Sequence, residues 1–380
     1  MIYFDNAATT RPYDEVLDMF NSISKNSFGN TSSTHFYGRE SSKKLEEARG
    51  HMLTLLGLNK THKLVFESCA SEANNSAIKG VAYRYASRGR RLITSEVEHP
   101  SVLNAFKALQ LEGFEVVFLP VNSDGVVDPK ILERAMNKDT ILVSIMSVNN
   151  ETGAIFPIAK YAEIIKKFPK CFFHSDATQS IGKIKMDYTK CDMISFSSHK
   201  IGGLKGNGAL IFKKTMEIKP LLDGGEQESG FRAGTVDLAG AMCMDYALTR
   251  SIKDMVSHQQ QVKSIKSYLM EELAKIDEIS VNSPANSIDF VLNISLSKHK
   301  ASVVLEALSQ KGVCVSSVSA CSSKGEPISY VLTSMGKEEV LARNSIRISL
   351  SHNNTTDEAK DFISIFKDVL ASTVERDFVK

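Results

Sequence analysis

The residue with the clearest chemical potential is Lys200, which follows the apolar segment 193–198 and precedes a glycine-rich loop at 202–208. A lysine amine in a partly desolvated pocket loses its proton more easily and becomes a nucleophile. Lys200 is therefore a candidate for forming a Schiff base. Taken alone, a solvated lysine at the end of a strand is the more ordinary interpretation.

A second candidate is Asp176, which ends the apolar segment 171–175 and is followed by the sequence Ala-Thr-Gln. A buried aspartate needs a cationic partner to offset its desolvation. The protonated pyridine nitrogen of pyridoxal phosphate is one such partner. The alternative is an ordinary helix N-cap, which the same residues also fit.

Three further polar clusters follow apolar segments. Residues 68–75 place small hydroxyl side chains at the start of a helix, where backbone N–H groups and the helix dipole favour a phosphate, although an ordinary serine cap fits equally well. His99 follows the segment 91–95, and the cluster 149–153 follows the segment 140–148. A single histidine is more often structural than catalytic, and no cluster is decisive alone. Five such clusters after consecutive apolar segments nevertheless predict one shared site.

These clusters fit the carboxyl ends of strands in an α/β fold, where ligands bind in open sheets. Short segments rich in Val, Ile and Phe alternate with helical patterns, which predicts a mostly parallel sheet covered by helices. The predicted strands are 63–67, 91–95, 115–120, 140–148, 171–176, 193–198 and 209–212. The predicted helices between them are 72–87, 101–110, 129–136 and 159–167.

The C-terminal third of the chain has a different pattern, which is typical of a smaller α+β domain. Its predicted elements are a long helix at 255–276, a strand at 290–296, a helix at 301–310, a strand at 312–316 and a last helix from Thr356. We therefore expect residues 15–255 to form a large domain and residues 256–380 a small one. Residues 1–14 are expected to join the small domain.

The composition is that of an ordinary globular protein. Of its 380 residues, 42% are hydrophobic and 24% charged, and 46 Lys and Arg against 44 Asp and Glu give a net charge of +2. This balance gives no support for a nucleic-acid binder. The longest apolar-rich run, 141–148, is far shorter than the ~18 residues of a membrane span, and the first residues lack the pattern of a signal peptide. We expect a cytoplasmic protein without a membrane partner.

The six cysteines are too sparse for a disulfide scaffold and include no CxxC pair, so no metal site is expected. Cys321 lies in the polar stretch 319–327, which is typical of an exposed loop. An exposed thiolate is a nucleophile, whereas a buried thiol is inert. Four cysteines adjoin or lie in apolar segments and are expected to be packing residues: Cys171, Cys191, Cys243 and Cys314.

As an ordered set, these motifs resemble those of the pyridoxal-phosphate-dependent cysteine desulfurases, in the class V aminotransferase group with fold type I. The resemblance covers nearly the whole chain and implies a large α/β domain with a mostly parallel seven-stranded sheet covered by helices, plus a smaller α+β domain. Nine residues separate Cys321 from Tyr330, which resembles the longer-loop group. The motifs are YFDNAATT (3–10), GNTSSTHFYGRE (29–40), SEANNSAIKG (71–80), EHPSV (98–102), VNNETGAIFPI (148–158), HSDATQSIGK (174–183), SFSSHKIGGLKG (195–206), FRAGT (231–235), SSVSACSS (316–323) and IRISLS (346–351).

The resemblance implies roles at the cofactor ring. Lys200 is expected to bind pyridoxal 5'-phosphate covalently and later to move the substrate α-proton. Asp176 is expected to pair with the pyridinium nitrogen, which keeps the ring an electron sink. Gln179 is expected to hydrogen-bond the phenolate oxygen, and His99 to stack on the ring and assist acid–base steps.

The resemblance also implies roles at the phosphate and the substrate. Thr235 is expected to reach the phosphate of the partner subunit, which makes a homodimer functionally obligatory. Asn150 is expected near the cofactor and, with Arg347, at the substrate carboxylate, for which a planar guanidinium is suited. The alternative for Arg347 is a strand arginine on a solvent-exposed face. Four residues are expected to hold the phosphate: Ala70, Ser71, Ser197 and His199.

The implied reaction converts L-cysteine to L-alanine. The Cys321 thiolate attacks the substrate sulfur and keeps it as a persulfide, which passes to an acceptor protein such as an iron–sulfur scaffold or a carrier for tRNA thiolation, without direct contact with nucleic acid. A selenocysteine lyase stays open, because these motifs barely separate it from a desulfurase. A transaminase would not need Cys321, and a non-catalytic assembly protein would be credible only without Lys200, His99 or Cys321.

Several positions depart from the family pattern. Cys69 stands where relatives commonly have glycine and is expected to crowd the phosphate loop. Val318 replaces a glycine before Cys321, which should stiffen the base of that loop. Glu226 and Ser229 stand where a glycine and an arginine are expected, which puts the subunit interface in doubt.

Overall fold

A computed structural model of the protein describes residues 1–317 and 328–373. Within these residues the strands are β1 (Ile2–Tyr3), β2 (His62–Glu67), β3 (Arg91–Ser95), β4 (Glu115–Leu119), β5 (Thr140–Ser144), β6 (Phe172–Asp176), β7 (Met193–Ser197), β8 (Gly208–Lys213), β9 (Ile279–Val281), β10 (Val291–Leu296), β11 (Val313–Cys314), β12 (Ser316–Ser317) and β13 (Ser345–Ser349). The helices are α1 (Asp14–Asn26), α2 (Phe36–Leu55), α3 (Ala70–Tyr85), α4 (Pro100–Leu111), α5 (Pro129–Ala135), α6 (Ile158–Ile165), α7 (Leu238–Lys253), α8 (Met255–Leu273), α9 (Ala301–Gln310), α10 (Tyr330–Ser334), α11 (Glu339–Arg343) and α12 (Thr356–Ser372). None of these helices is long and apolar enough to cross a membrane.

The central sheet has seven strands in the order β2-β8-β7-β6-β5-β3-β4. The neighbours from β7 to β4 pair in parallel, whereas β8 runs antiparallel to both β2 and β7. Both β5 and β7 are buried along their whole length, as expected for strands covered on both faces. The predicted mostly parallel, seven-stranded sheet is confirmed.

Successive residues of these strands alternate between two hydrophobic clusters, one on each face of the sheet. Val65, Leu142 and Leu210 pack in the cluster that contains residues of α3 and α4. Their neighbours Leu64 and Val143 pack in the cluster that contains residues of α2, α6 and α7. Several of these strands are largely apolar because successive residues point to opposite faces of the sheet, and both faces are buried.

A second sheet is antiparallel in the order β12-β13-β10-β9, and its strands β10 and β13 pack with α8, α9 and α12. β1 pairs in parallel with β11, so the first residues of the chain join this part of the molecule. The predicted single strand 312–316 is wrong. It divides into β11 and β12, because β11 hydrogen-bonds to β1 whereas β12 hydrogen-bonds to β13. The expected domain boundary at 255–256 stays a prediction.

The carboxyl ends of β2, β3, β5, β6 and β7 share one edge of the central sheet, because these strands run in the same direction. The N-terminal segment reaches this edge, where Thr10 N donates to the carbonyl of His199 at 2.9 Å. It also reaches the second sheet, where Asn6 N donates to the carbonyl of Ser349 at 3.2 Å. The clusters singled out in the sequence are therefore brought to one place.

Candidate active site

Lys200 ends a short 3-10 helix, Ser198–Lys200, that directly follows β7. Its Nζ donates to the backbone carbonyls of Ala7 and Ala8, at 2.5 Å each. Burial, helped by the positive charge of Arg347, lowers the pKa of Lys200 to about 8. The side chain is therefore much closer to a nucleophilic amine at neutral pH than a solvated lysine is.

Asp176 is the last residue of β6 and is 5% exposed. One carboxylate oxygen, Oδ1, accepts from the backbone N–H of Thr178 at 2.9 Å, which is the local turn contact that the cap interpretation expected. The other, Oδ2, accepts from Asn74 Nδ2 of α3 at 2.8 Å. Two N–H donors stabilise the charged carboxylate in a buried place, so Asp176 is equipped to face a cation.

His99 is the N-cap of α4, and its Nδ1 lies 2.8 Å from Ser101 Oγ. Burial lowers the pKa of His99, although the charge of Asp176 acts in the opposite direction. The imidazole is therefore neutral at physiological pH, which suits a ring that packs against a flat cofactor and exchanges protons.

Gln179 and Lys183 form a buried pair in the turn after β6. Lys183 Nζ donates to Gln179 Oε1 at 2.7 Å, and Gln179 Nε2 donates to the carbonyl of Ala7 at 3.1 Å. Burial, followed by the charges of Lys200 and Arg347, lowers the pKa of Lys183 to about 7. The sequence analysis did not single out Lys183, although its four-residue spacing from Gln179 in the motif 174–183 is the signal that points to it.

The start of α3 carries the residues expected at a phosphate. Ala70 N donates to Ser197 Oγ at 2.6 Å, so these two predicted residues are in contact. His199 instead shares a hydrogen bond with Thr9 Oγ1 through Nδ1 at 3.1 Å, and Ser71 is exposed. The N-terminus of a helix of this length presents backbone N–H groups and a positive dipole end, which bind phosphate well.

Cys69 does not need to be glycine. Its φ is −171° and its ψ is 171°, which is extended backbone that any residue adopts. The backbone of Cys69 instead packs closely against Gly208, where a Cβ would lie 2.5 Å from the carbonyl carbon of Cys69. The glycine requirement of this loop therefore falls on Gly208.

Arg347 lies on β13 and is only 7% exposed, so the alternative of a solvent-facing strand arginine is wrong. Its guanidinium donates to the carbonyl of Asn150 and to Asp5 Oδ1, each at 3.1 Å. The sequence analysis did not name Asp5, although it belongs to the first motif. Arg347 Nε and Asn150 Oδ1 are buried and have no hydrogen-bond partner in the described part of the chain, so both keep bonding capacity for a ligand.

The sequence as a whole matches one family. The family model for class V aminotransferases matches residues 2–362. The chain belongs to this family, among the cysteine desulfurases. It is 38% identical over 379 residues to the cysteine desulfurase IscS of Dictyoglomus turgidum, covering 99% of this chain and 95% of that relative. It is also 38% identical over 364 residues to the human cysteine desulfurase, covering 94% of this chain and 79% of the human protein.

Solved structures of this family agree with the fold. A NifS-like protein superposes with a TM-score of 0.92 at 34% identity, over 98% of this chain and all of that one. A NifS-like protein from Rickettsia africae superposes with a TM-score of 0.89 at 30% identity, over 98% of this chain and 99% of that one. The class V architecture therefore extends over both sheets.

The desulfurase cysteines fall into three groups. Cys171, Cys191 and Cys243 are buried, and burial raises the pKa of each thiol, to about 12 for Cys243, so they are inert as expected. Cys69 and Cys314 are partly buried, and the assignment of Cys314 as a packing residue stays a prediction. Cys321 and Val318 lie outside the described residues.

The stretch before Thr235 has unusual backbone. Glu228 and Ser229 have φ angles of 52° and 57°, in the left-handed region. Glu228 is nevertheless buried and makes a two-pronged ion pair with Arg49, at 2.8 Å for both oxygens, which holds the strained turn in place. Thr235 itself is exposed.

The residues at this edge fit pyridoxal 5'-phosphate. The ring requires a charged carboxylate and an amine nucleophile, which Asp176 and Lys200 provide, and the phosphate requires a helix N-terminus, which α3 provides. Three buried polar atoms at the edge, on Asn150, Thr178 and Arg347, are without partners among the described residues. Those residues contain no cluster of three or more His, Cys, Asp or Glu suited to a metal ion.

Proposed function

We propose that this class V enzyme uses pyridoxal 5'-phosphate to remove sulfur from L-cysteine, giving L-alanine and a persulfide on Cys321. The observation that carries the proposal is the meeting of the Lys200 amine, the doubly hydrogen-bonded Asp176 and the buried Arg347 at one sheet edge. When bound, the cofactor supplies an electron sink for the bonds at the substrate α-carbon. The protein's own residues position the substrate, move its protons and, through Cys321, accept the sulfur.

The cofactor contacts follow from the site. Asp176 faces the pyridine nitrogen, and its two N–H donors keep it charged for that partner. Gln179 would donate to the phenolate oxygen through the second hydrogen of Nε2, because Lys183 occupies its Oε1 and the Ala7 carbonyl accepts the first hydrogen. His99, which is neutral, stacks on the ring. Four residues hold the phosphate: Ala70, Ser71, Ser197 and His199.

Lys200 binds the cofactor and then acts as the base. A pKa of about 8 leaves a substantial neutral fraction at physiological pH, so Nζ is able to take the α-proton of cysteine and return it. Arg347 and Asn150 hold the substrate carboxylate. Arg347 Nε is a buried donor without a partner among the described residues and is available for it, and Asn150 donates to it through its Nδ2 amide group.

Cys321 receives the sulfur. Its thiolate attacks the substrate sulfur, so a sulfur–sulfur bond forms while the carbon–sulfur bond breaks, and the carbon takes a proton to become alanine. The support lies in the sequence, since Cys321 occupies the family motif 316–323 and the described cysteines 171, 191 and 243 are buried. The persulfide then passes to an acceptor protein, either an iron–sulfur scaffold or a carrier for tRNA thiolation.

The working form is a homodimer in which Thr235 reaches the phosphate bound by its partner. The exposure of Thr235 supports this arrangement. A cluster of exposed aromatic rings also supports it: Phe28 and Phe36 lie on either side of Tyr37, with ring centroids 5.1 and 5.6 Å from it. Exposed apolar patches of this kind mark interaction surfaces. The expected location in the cytoplasm stays a prediction.

The decisive experiment measures sulfide and alanine from L-cysteine with purified protein, added cofactor and a thiol reductant. The wild type should release the two products in equal amounts. Cys321→Ser should lower the rate of sulfide release at least about 100-fold, because no persulfide forms. Cys314→Ser is the matched control, since Cys314 is a partly exposed cysteine on β11, and it should keep the wild-type rate.

Other outcomes separate the alternatives. A Cys321→Ser protein that converts cysteine at the wild-type rate would overturn the assignment of Cys321. Faster turnover of L-selenocysteine than of L-cysteine, independent of Cys321, would identify a selenocysteine lyase, and formation of a keto acid would identify a transaminase. If the protein stays colourless after incubation with the cofactor and shows no change with borohydride, the proposal that it uses pyridoxal 5'-phosphate is wrong.

A further inference from the structure

Ser101 lies on a hydrogen-bonded path between His99 and Asp176, two residues that have separate roles in the proposed function. Its hydroxyl lies 2.8 Å from His99 Nδ1, and its backbone N–H donates to the same nitrogen at 3.2 Å. Asn74 Nδ2 donates to Ser101 Oγ at 2.9 Å and to Asp176 Oδ2 at 2.8 Å. A continuous hydrogen-bonded path therefore links the ring-stacking histidine with the ring-facing aspartate.

The direction of each hydrogen bond in this path is fixed by chemistry. The Asp176 carboxylate only accepts, so Asn74 must turn its Nδ2 toward it, and the Asn74 Oδ1 then accepts from the hydroxyl of Ser195. Both hydrogens of Nδ2 are used, one on Asp176 and one on Ser101 Oγ. Because Ser101 Oγ already accepts, its own hydrogen is available for His99 Nδ1.

The result for His99 is that Nδ1 faces two donors. A nitrogen that accepts two hydrogen bonds carries no proton, so the proton of the neutral ring belongs on Nε2. Burial lowers the pKa of this imidazole, the charge of Asp176 raises it, and the charges of Lys200 and Arg347 lower it further, so the ring is neutral.

The path continues through the sheet behind Asn74. Ser195 Oγ accepts from His174 Nε2 at 3.1 Å, and His174 Nδ1 accepts from Ser144 Oγ at 2.8 Å. Burial lowers the pKa of His174 to about 4, so it too is neutral and its single ring proton points along the path. From Ser144 of β5 to Asn74, each group donates a hydrogen bond to the next group along the path. This fixes the orientation of the Asn74 amide and, through it, the orientation of the Ser101 hydroxyl.

We propose that Ser101, oriented by Asn74, is a positioning residue that holds His99 in the Nε2–H tautomer. The hydroxyl stabilises one tautomer and one ring orientation, and it leaves Nε2–H as the group that His99 uses in acid–base steps. This inference rests on the proposed role of His99 at the cofactor ring. It adds that Ser101, in the first turn of α4, determines the tautomer of His99. It also adds that Asn74 links Ser101 to Asp176 through hydrogen bonds.

The first test reads the tautomer directly in the cofactor-free protein. Long-range proton–nitrogen spectra of protein labelled with 15N-histidine distinguish a ring with a bare Nδ1 from one with a bare Nε2, and the signals lost in His99→Gln identify His99. The wild type and Ser101→Thr should show Nε2–H only, whereas Ser101→Ala should show a mixture of tautomers, because only the backbone N–H of residue 101 is left to donate to Nδ1. Ser264→Ala, which removes an exposed serine hydroxyl on α8, is the matched control and should leave the spectrum unchanged.

The second test uses turnover of the loaded enzyme. Ser101→Ala should lower kcat about 10-fold with little change in KM, a smaller loss than that of His99→Gln, because positioning is only part of the acid–base contribution. Ser101→Thr should restore most of kcat. If Ser101→Ala does not fold, Ser101→Cys replaces it, since a thiol is a weak donor of similar size.

Two results overturn the inference. One is a wild-type His99 with its proton on Nδ1, and the other is a Ser101→Ala protein with the wild-type tautomer. The spectra do not depend on desulfurase activity, so failure of the proposed function would appear separately, as absent sulfide release from a protein whose His99 tautomer is as expected.

Discussion

Two carboxyl groups at the same edge of the central sheet behave in opposite ways. Asp176 ends β6 and Glu67 ends β2, and each residue is 5% exposed. Asp176 accepts from two N–H groups, whereas neither oxygen of Glu67 has a hydrogen-bond partner at normal geometry within the described residues. Asp176 and Glu67 are thus equally buried, but they differ in the number of hydrogen-bond donors around them.

The lack of donors is accompanied by a large shift in the pKa of Glu67. Burial, and then the neighbouring Glu72, raises the pKa of Glu67 to about 9, so Glu67 is protonated at neutral pH. Although burial acts against it, the pKa of Glu72 is lowered to about 2, chiefly because Arg232 donates to it at 2.9 Å. Arg232 Nε lies 3.9 Å from Glu67, too far for a hydrogen bond. Between these two equally exposed carboxyls, the hydrogen-bond donors distinguish Asp176 as the one suited to face a cationic ring.

The largest expected effect comes from removing the charge of Asp176. Asp176→Asn should lower the rate of sulfide release at least about 100-fold, because the ring loses the anion that stabilises its protonated nitrogen. The visible absorption band of the bound cofactor should shift as well. Asp128→Asn, which replaces the N-cap of α5 by another good cap, should keep the wild-type rate. Equal rates for the two variants would contradict the charged role of Asp176.

The donor to Asp176 should matter less than the carboxylate itself. Asn74→Ala removes one of two N–H donors and should lower the rate about 10-fold and the free energy of unfolding by about 1–3 kcal/mol, because buried groups are left unpaired. Steady-state kinetics measures the rate of sulfide release, and denaturant unfolding measures the free energy of unfolding. The neighbouring Asn75→Ala serves as control, since Asn75 bonds only to backbone carbonyls. If the two variants match, the donors do not set the behaviour of Asp176.

Glu67 should affect stability rather than turnover. Its folded pKa is above its unfolded one, so its contribution to stability is present at low pH and is lost as the pH rises through about 9. Glu67→Gln should therefore raise Tm relative to wild type by about 2–4 °C more at pH 8 than at pH 5. The exposed Glu163→Gln should show no such pH dependence. A constant Tm difference between pH 5 and 8 would show that Glu67 is charged.

The smallest effect is expected next to Glu67, at Cys69. Its extended backbone does not call for glycine, so Cys69→Gly should lower stability only by about 0.5–1 kcal/mol through added chain entropy, with cofactor affinity changed less than about twofold. Cofactor titration by absorbance and thermal unfolding measure both values. A large gain in cofactor affinity would mean that the Cys69 side chain crowds the phosphate after all.

Much of the site was predictable because it depends on local order along the chain. Lys200, Asp176 and His99 each follow an apolar strand segment, and parallel strands bring their carboxyl ends together whatever the details of packing. The seven strands were found for the same reason, since strands buried on both faces are continuous apolar runs. The division of 312–316 into two strands was not found, because it depends on which distant strand each half pairs with.

The sequence by itself determined the alternation of strands and helices, and it determined which polar residues stand at the strand ends. The tertiary structure alone decided that Asn74 donates to Asp176, 102 positions away, that Ser101 faces His99, and that Glu67 meets a second carboxyl. The physical reason is that the free energy of a buried charge depends on the donors around it. Those donors come from elements that meet only when the helices pack on the sheet.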